Sequence, residues 1–361
     1  MISKSFIATP PGLTIKEQID DRGMTQKDFS KRMGLSEKHI SHLINGEVQL
    51  TQDVAYRLEM VLGVPASFWN NLEALYREDL VRVENENKMD NDIETSKKIP
   101  YNEISKLGWV ERTRKKIERV INLRNFFEVS SLDLLFSENL LQIACRKLDG
   151  YQEEDMKLLT WAQKAKLEAR NIDVDPINIA GLEDEIENIR RLTISENPDF
   201  SIILQEKLKK FGIALVYLPH LNGSFLHGAT FYDSKKIVIG LTLRGKQSDK
   251  FWFSLFHELG HVVNGHINKL GGISELDEKE SDEYARDKLI PKEKYKDFLQ
   301  KGRYDRDSII EFAESINISK GIVVGRLQKD GEIGYNQLND LKTNYVFKSN
   351  WFCAFCTIFV C

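Results

Sequence analysis

One short stretch, residues 251–266, constrains this chain more than any other, and its sequence is FWFSLFHELGHVVNGH. Within it His257, Glu258 and His261 form the pattern H-E-x-x-H. Two histidines four residues apart on a helix lie on the same face, so both imidazoles can bind one Zn²⁺. The glutamate beside the first histidine is then placed to handle a proton on a metal-bound water. The stretch therefore predicts a helix that carries a catalytic zinc site.

The helical context of this motif comes from its apolar residues, which recur at the spacing of one helix face. Ser248 or Asp249 is the expected N-cap of the helix. The apolar face is formed by Phe251, Leu255, Leu259, Val262 and Val263. The alternative is that the two histidines are ordinary core or surface residues, and a glutamate directly beside the first one disfavours it.

A catalytic zinc site needs three protein ligands and one position open for water. The segment 277–291, DEKESDEYARDKLIP, begins with acidic residues and ends at Pro291, as expected of a second helix. Glu280 and Glu283 lie three residues apart on one face of it, and either could reach the metal. His266 lies five residues after His261, away from the ligand face, which favours a structural or supporting role.

HELGH followed by the segment E-S-D-E-Y-A resembles the ImmA/IrrE family of zinc metallopeptidases, whose second signature is Glu-x-Glu-Ala-Asn-x-Phe-Ala. The resemblance places the third zinc ligand on Glu280. Four further positions of the signature fall on Ser281, Asp282, Tyr284 and Ala285. It implies a zinc endopeptidase in which His257, His261 and Glu280 bind the metal and Glu258 is catalytic. The implied protein substrate is a repressor or an antitoxin-type protein.

The N-terminal region is predicted to form short helices over residues 14–22, 25–33, 36–44 and 51–62, followed by another from residue 69 to 83. Thr25 and Ser36 are expected N-caps, and Gly34 forms the turn between the second and third helices. Helix, short glycine turn, helix is the layout in which the second helix of the pair enters the major groove of DNA.

The stretch GMTQKDFSKRMGLSEKHISHLINGE resembles the Cro/C1-type (XRE) helix-turn-helix family, and the flanking residues resemble HigA-type antitoxins. The resemblance implies a double-stranded DNA operator as partner and a homodimer as the binding form. The implied DNA contacts are Gln26, Glu37, Lys38, Ser41, His42 and Asn45. The implied core residues are Phe29, Ile40, Leu43, Ala55 and Leu58.

Charge leaves two other functions open. The chain has a net charge of −4, and residues 1–80 contain nine Lys/Arg against eleven Asp/Glu, whereas DNA-binding domains usually present a basic face. One alternative is therefore a partner-binding module of a toxin–antitoxin system without DNA contact. The other is a HigA-like antitoxin or repressor in which the peptidase fold is a non-catalytic scaffold or sensor. Glu258 disfavours the scaffold, because a structural zinc site has no use for that carboxylate.

Together these patterns predict an α+β, mainly α fold. It comprises a five-helix helix-turn-helix domain (1–83), a polar linker (84–100), a helical middle region (101–195) and a zincin-like domain with a small sheet (196–345). A hydrophobic, cysteine-containing tail (346–361) is expected to be a flexible or non-native extension, with a membrane-touching or partner-binding segment as the alternative. No apolar run approaches the roughly 18 residues of a membrane span, which favours the cytoplasm. Cys145, Cys353, Cys356 and Cys361 do not suggest a disulfide framework, and Cys145 is expected to be buried.

Overall fold

A computed structural model describes residues 7–136, 153–194, 199–224, 227–243, 246–268, 273–349 and 356–360. The chain divides into two compact units, Met1–Glu94 and Thr95–Cys361. The predicted fold class is confirmed, since the described residues are mainly helical with one small three-stranded sheet. No helix in these ranges is both long enough and apolar enough to cross a membrane.

The first unit is formed by five helices, α1 to α5. Hydroxyl caps begin three of them: Thr25 accepts a hydrogen bond from the amide of Asp28, and Ser36 and Thr51 cap the following two helices in the same way. The helices are α1 (Pro11–Asp21), α2 (Gln26–Met33), α3 (Glu37–Ile44), α4 (Gln52–Leu62) and α5 (Ala66–Ser96), the last of which runs two residues into the second unit.

The core of the first unit consists of the side chains that the sequence predicts. Phe29, Ile40, Leu43, Ala55 and Leu58 are each at most 2% exposed. Gly34 ends α2 in the left-handed conformation (φ 67°), which glycine adopts without steric cost, and so directs the chain into α3. Helices α2 and α3 thus form a helix-turn-helix pair on a shared apolar core.

Helix α5 corrects the predicted linker. The polar stretch 84–96 is helical rather than irregular, and it continues the helix that begins at Ala66. The physical reason is that residues 66–96 contain neither glycine nor proline, while pairs such as Arg82–Glu78 lie one turn apart along the helix surface. Asp92, within this polar stretch, is fully buried, so part of the stretch is shielded from solvent.

The second unit contains both the predicted middle region and the predicted zincin-like region. Trp161 is buried and its indole nitrogen donates to the carbonyl of Pro219, which ties the middle helices to the sheet region. Residues 137–150, including Cys145, lie outside the described residues. The middle helices are α6 (Tyr101–Lys106), α7 (Lys116–Phe127), α8 (Glu153–Ala169) and α9 (Ile179–Arg191), followed by α10 (Phe200–Lys209).

A three-stranded sheet follows, with strand order β1-β3-β2. Strand β1 (Ile213–Tyr217) is parallel to β3 (Lys236–Leu241), and β2 (Gly228–Asp233) is antiparallel to β3. All five residues of β1 are buried, which explains its unbroken apolar sequence. Strand β2 pairs with β3 alone among the described strands, so it is an edge of the sheet.

Helices α11 (Ser248–Val263) and α12 (Glu275–Leu289) carry the residues singled out by the motif. The predicted N-caps of α11 are wrong: the cap position is Gln247, and Ser248 and Asp249 are already helical and buried. Asp249 is instead held by an ion pair with Lys342 at 2.7 Å. Helix α12 begins with a capping box in which Ser274 and Asp277 satisfy each other's backbone amides.

The chain continues through α13 (Lys292–Lys301), α14 (Arg306–Ser315) and α15 (Lys320–Asp330). Part of the tail is ordered structure and not the predicted flexible extension. Strands β4 (Tyr345–Ser349) and β5 (Cys356–Val360) pair antiparallel in a two-stranded sheet. Cys353 and Cys361 lie outside the described residues.

Candidate metal centre and nucleic-acid interface

The two motif histidines on α11 face each other through their Nε2 atoms, which lie 3.1 Å apart. Glu278 of α12 lies beside both: its Oε2 is 3.3 Å from Nε2 of His257, and its Oε1 is 4.0 Å from Nε2 of His261. These three side chains can offer ligand atoms within 4.8 Å of one another. Two imidazoles and one carboxylate therefore converge on a common point.

This donor set fits a zinc ion. Tetrahedral coordination with bonds of about 2.0–2.1 Å puts neighbouring ligand atoms about 3.3 Å apart. The separations of 3.1 and 3.3 Å around His257 match that spacing. Two histidines and one glutamate leave one position open, as catalytic zinc sites require.

Asp282, one turn after Glu278 on α12, orients the first histidine. Its Oδ1 lies 2.8 Å from Nδ1 of His257. A carboxylate accepts, so Nδ1 carries the proton and Nε2 is left to bind a metal. Burial lowers the pKa of His257, but the hydrogen bonds with Asp282 and Glu278 outweigh it and raise that pKa to about 10. Burial, reinforced by the charge on His257, lowers the pKa of His261.

Glu280, the glutamate indicated by the resemblance, is not brought to the histidine pair. Its Oε2 lies 3.0 Å from Nε2 of His266 instead. The reason is the phase of α12: Asp277, Ser281, Ala285 and Leu289 are the buried stripe that packs inward, and Glu278 and Glu280 lie on opposite sides of it. Glu283, the other candidate from the sequence, is exposed.

His266 lies in a second group, with Asp277 and Glu280. The side chain is buried, and its Nδ1 is 3.1 Å from Nδ1 of His261 and 3.2 Å from the hydroxyl of Ser281. The supporting role that the sequence favoured for His266 agrees with these contacts. It connects the second motif histidine to the acidic residues of α12.

Glu258 lies in a confined pocket between α11 and the edge strand β2. Its Oε2 accepts a hydrogen bond from the hydroxyl of Thr230 at 2.6 Å. A Cβ atom at Gly228 would lie 2.6 Å from the other carboxylate oxygen, so only glycine leaves room for it. Burial raises the pKa of Glu258 to about 7, against the opposing effects of His257 and Thr230. A carboxyl group with that pKa can both accept and release a proton near neutral pH.

Helix α3 presents the residues expected to contact DNA. Glu37, Lys38 and Asn45 are exposed on it or at its end, and Ser41 and His42 are half-buried. Gln26, at the start of α2, is exposed as well. All six predicted contacts are thus accessible to some degree, and the apolar face of α3 points into the core.

The charge on this surface is mixed. Nδ1 of His42 lies in hydrogen-bond contact with the carboxylate of Glu47, and Arg32 forms an ion pair with Asp28 at 3.3 Å. No described residue forms an ion pair with Lys38, whose ammonium group is therefore available to a ligand.

Comparison with known proteins bears on this first unit. Residues 15–69 match the helix-turn-helix family. An uncharacterized HTH-type transcriptional regulator of Escherichia coli (strain K12), YddM, is 30% identical over 63 residues, which cover 67% of that protein and 18% of this chain. The chain belongs to the helix-turn-helix family of transcriptional regulators. The family match in this regulator includes α2 and α3 whole and ends in the first turns of α5.

Sequence patterns do not predict four residues of the candidate metal centre in this helix-turn-helix regulator: Glu278, Asp282 as a partner of His257, Thr230 and Gly228. A signal for Glu278 was present in the i, i+4 recurrence of Asp277, Ser281 and Ala285, which marks the inward stripe of α12. Thr230 and Gly228 carried no such signal, because their role depends on how β2 lies against α11.

Proposed function

We propose that this protein is a DNA-binding transcriptional regulator whose second unit is a zinc-dependent endopeptidase acting on a repressor or antitoxin-type protein. The observation that carries the peptidase proposal is the convergence of His257, His261 and Glu278 on one point. Glu258 supports it, since it is a buried carboxyl group on the same helix with a pKa of about 7.

In the DNA-binding function, α3 enters the major groove. Lys38 donates to a guanine edge and Glu37 accepts from a cytosine amino group, with Ser41 and His42 beside them. Gln26 and Asn45 bind phosphates on either side. Two copies of the chain bind together, because one such module buries too little surface for tight specific binding.

In the peptidase function, His257, His261 and Glu278 would hold the metal. Bound Zn²⁺ would supply a Lewis acid and a water that loses its proton near neutral pH. Asp282 keeps the His257 ring in the tautomer that offers Nε2. Glu258 accepts a proton on its carboxylate and passes it to the leaving amine, with Thr230 fixing the orientation of that carboxylate.

The substrate backbone binds along β2. Among the described strands β2 is an edge of the sheet, so an extended peptide can add to the sheet there. Thr230 of β2 contacts Glu258 directly, so a peptide on this edge runs past the catalytic carboxyl group.

Four side chains are candidates to support the developing oxyanion: Tyr217, His227, Tyr284 and Arg326. Tyr217 is the least suited, because its hydroxyl is buried and donates to the carbonyl of Ser201. Tyr284 has a buried hydroxyl without a hydrogen-bond partner among the described residues. His227 is exposed next to β2.

Two measurements test the proposal separately. Elemental analysis should find close to one zinc per chain in the wild type and little in His261→Ala. The wild-type protein, co-expressed with repressors encoded beside it, should cut one of them, while Glu258→Gln should bind zinc but not cut. If the wild type and Glu258→Gln both bind zinc and neither cuts a repressor, the result would favour a non-catalytic scaffold instead.

A further inference from the structure

A cavity of about 570 Å³ lies next to the histidine pair, within the second unit. Its walls come from α11, α12 and α15, and its volume falls in the range of roughly 300–1,000 Å³ that is typical of ligand sites. Asp282 lines the cavity and also contacts Nδ1 of His257. Phe253, one turn before His257 on α11, lines it as well, so the cavity adjoins the candidate metal centre directly.

The cavity is strongly basic in a chain that is acidic as a whole. Five basic side chains line it, against two acidic ones: Lys250, Arg286, Arg326, Lys329 and Lys342, with Asp249 and Asp282. Both acidic groups are already engaged, Asp249 with Lys342 and Asp282 with His257. The exposed Lys250 and Lys329 have no ion-pair partner among the described residues, so the cavity has unmatched positive charge.

The inner part of the cavity combines apolar surface with one unmet hydrogen-bond acceptor. Leu289, Ile290 and Ile322 supply apolar lining. Asp249 is 8% exposed, and its Oδ1 has no hydrogen-bond partner in the described parts of the chain. The other carboxylate oxygen is enclosed so tightly that a Cβ atom at Gly325 would lie 2.3 Å from it. A buried carboxylate oxygen in this state is satisfied by a donor from outside, such as a peptide N–H.

We propose that this cavity is a specificity site for an acidic segment of the protein substrate. A glutamate or aspartate side chain pairs with Lys250 and Lys329, an apolar neighbour packs on Leu289 and Ile322, and a backbone N–H donates to Asp249. The inference rests on the proposed peptidase function for its biological meaning. The cavity lies beside His257, so a segment bound there continues naturally toward β2 and Glu258.

Direct binding tests the site without requiring cleavage. The full chain carrying Glu258→Gln, loaded with zinc, is titrated into a fluorescein-labelled hexapeptide, Gly-Leu-Glu-Glu-Leu-Gly, and into the matched peptide with two lysines in place of the glutamates. The acidic peptide should bind about tenfold more tightly, because each partly exposed ion pair contributes modestly. Adding Lys250→Glu and Lys329→Glu should abolish that preference.

The matched control carries the same charge change at Lys294→Glu and Lys320→Glu, two exposed lysines outside the cavity, and should keep the preference. Equal binding of both peptides, or a preference that survives in the Lys250/Lys329 variant, overturns the proposal. Competition by inorganic phosphate without any peptide binding would also overturn it, in favour of a small-anion site. Since the binding measurement involves no hydrolysis, a failure of the peptidase proposal would not be mistaken for a failure of this one.

Discussion

The Nδ1 atoms of His261 and His266 lie 3.1 Å apart, so one of them must carry a hydrogen and the other must accept it. If Nε2 of His261 binds a metal, its Nδ1 is the protonated one. His266 then accepts at Nδ1 and donates from Nε2 to Glu280, 3.0 Å away. On this assignment the group of His266, Asp277 and Glu280 supports the metal centre and does not form a second one, because both nitrogens of His266 are occupied.

Replacing His266 should therefore weaken metal binding without abolishing it. For His266→Phe we expect zinc affinity to fall about 10- to 100-fold, the usual effect of losing a hydrogen-bond partner of a ligating histidine. Competition with a chromophoric chelator measures it. Glu283→Gln, an exposed change on α12, is the control and should bind like the wild type. An unaltered affinity in His266→Phe would contradict the assignment.

The two glutamates of α12 can be separated by matched variants. Glu278→Gln should lose most of its bound zinc, since its carboxylate is the one that lies beside both Nε2 atoms. Glu280→Gln should retain zinc with a modest loss of affinity through His266. Metal content after dialysis against a weak chelator distinguishes them. The reverse order would restore the position that the family resemblance indicates.

The metal-free protein should lose stability as the pH rises, in part because of Glu258. The pKa of this group is raised from 4.5 in the unfolded chain to about 7 in the folded one. Its contribution is fully present below pH 4.5 and is lost as the pH rises toward 7, by ~3 kcal/mol for a shift of this size. Urea unfolding in excess chelator measures the effect. Glu258→Gln should show a smaller decline between pH 4.5 and 7, and parallel curves would contradict the prediction.

Gly228 should be required for cleavage but not for metal binding. In Gly228→Ala the new methyl group would meet Glu258, so the carboxylate must move away from Thr230. We expect zinc content near that of the wild type and a large loss of cleavage of any identified substrate. Ala229→Gly, at the next position of β2, serves as a control for general weakening of the strand. Full activity in Gly228→Ala would show that the close approach is unimportant.

On the first unit, Lys38→Ala should weaken operator binding by about 1–3 kcal/mol, as expected for loss of a base contact. The wild-type protein can be used to select the operator from random DNA. Gel shifts on that operator then compare the affinities of the wild type and the variant. Lys16→Ala, an exposed lysine on α1, should leave the affinity nearly unchanged. Equal binding by the wild type and Lys38→Ala would contradict the proposed base contact of Lys38.

The sequence was sufficient wherever local signals decide the structure. Hydroxyl residues at Thr25 and Ser36 predict the starts of α2 and α3, and Gly34 predicts the turn. The small sheet can be predicted because continuous apolar, β-branched runs such as those of β1 and β3 are typical of buried strands. The H-E-x-x-H motif placed His257 and His261 on one face because that relation is internal to a single helix.

Relations between two elements were beyond the sequence. Whether Glu278 or Glu280 faces α11 depends on the rotation of α12 about its axis. That rotation is set by Ser281, because this residue packs closely against Gly260 of α11. A Cβ atom added at Gly260 would lie 3.1 Å from the Cα of Ser281. The predicted linker at residues 84–96 is wrong for a different reason, since these residues are helical. Polar composition alone predicts a linker there, whereas the absence of glycine and proline favours a helix.

Strand β4 sets a limit on how far the chain can be shortened. Tyr345, its first residue, is 4% exposed, accepts a hydrogen bond from the indole of Trp252 at 2.9 Å, and packs against Phe200. Its side chain fills a space directly behind the helix that carries the two histidines. Removing C-terminal residues up to and including this tyrosine would leave a cavity there. Loss of a large buried aromatic side chain lowers the free energy of unfolding by about 3–5 kcal/mol. A trimmed form intended for crystallisation should therefore keep residue 345.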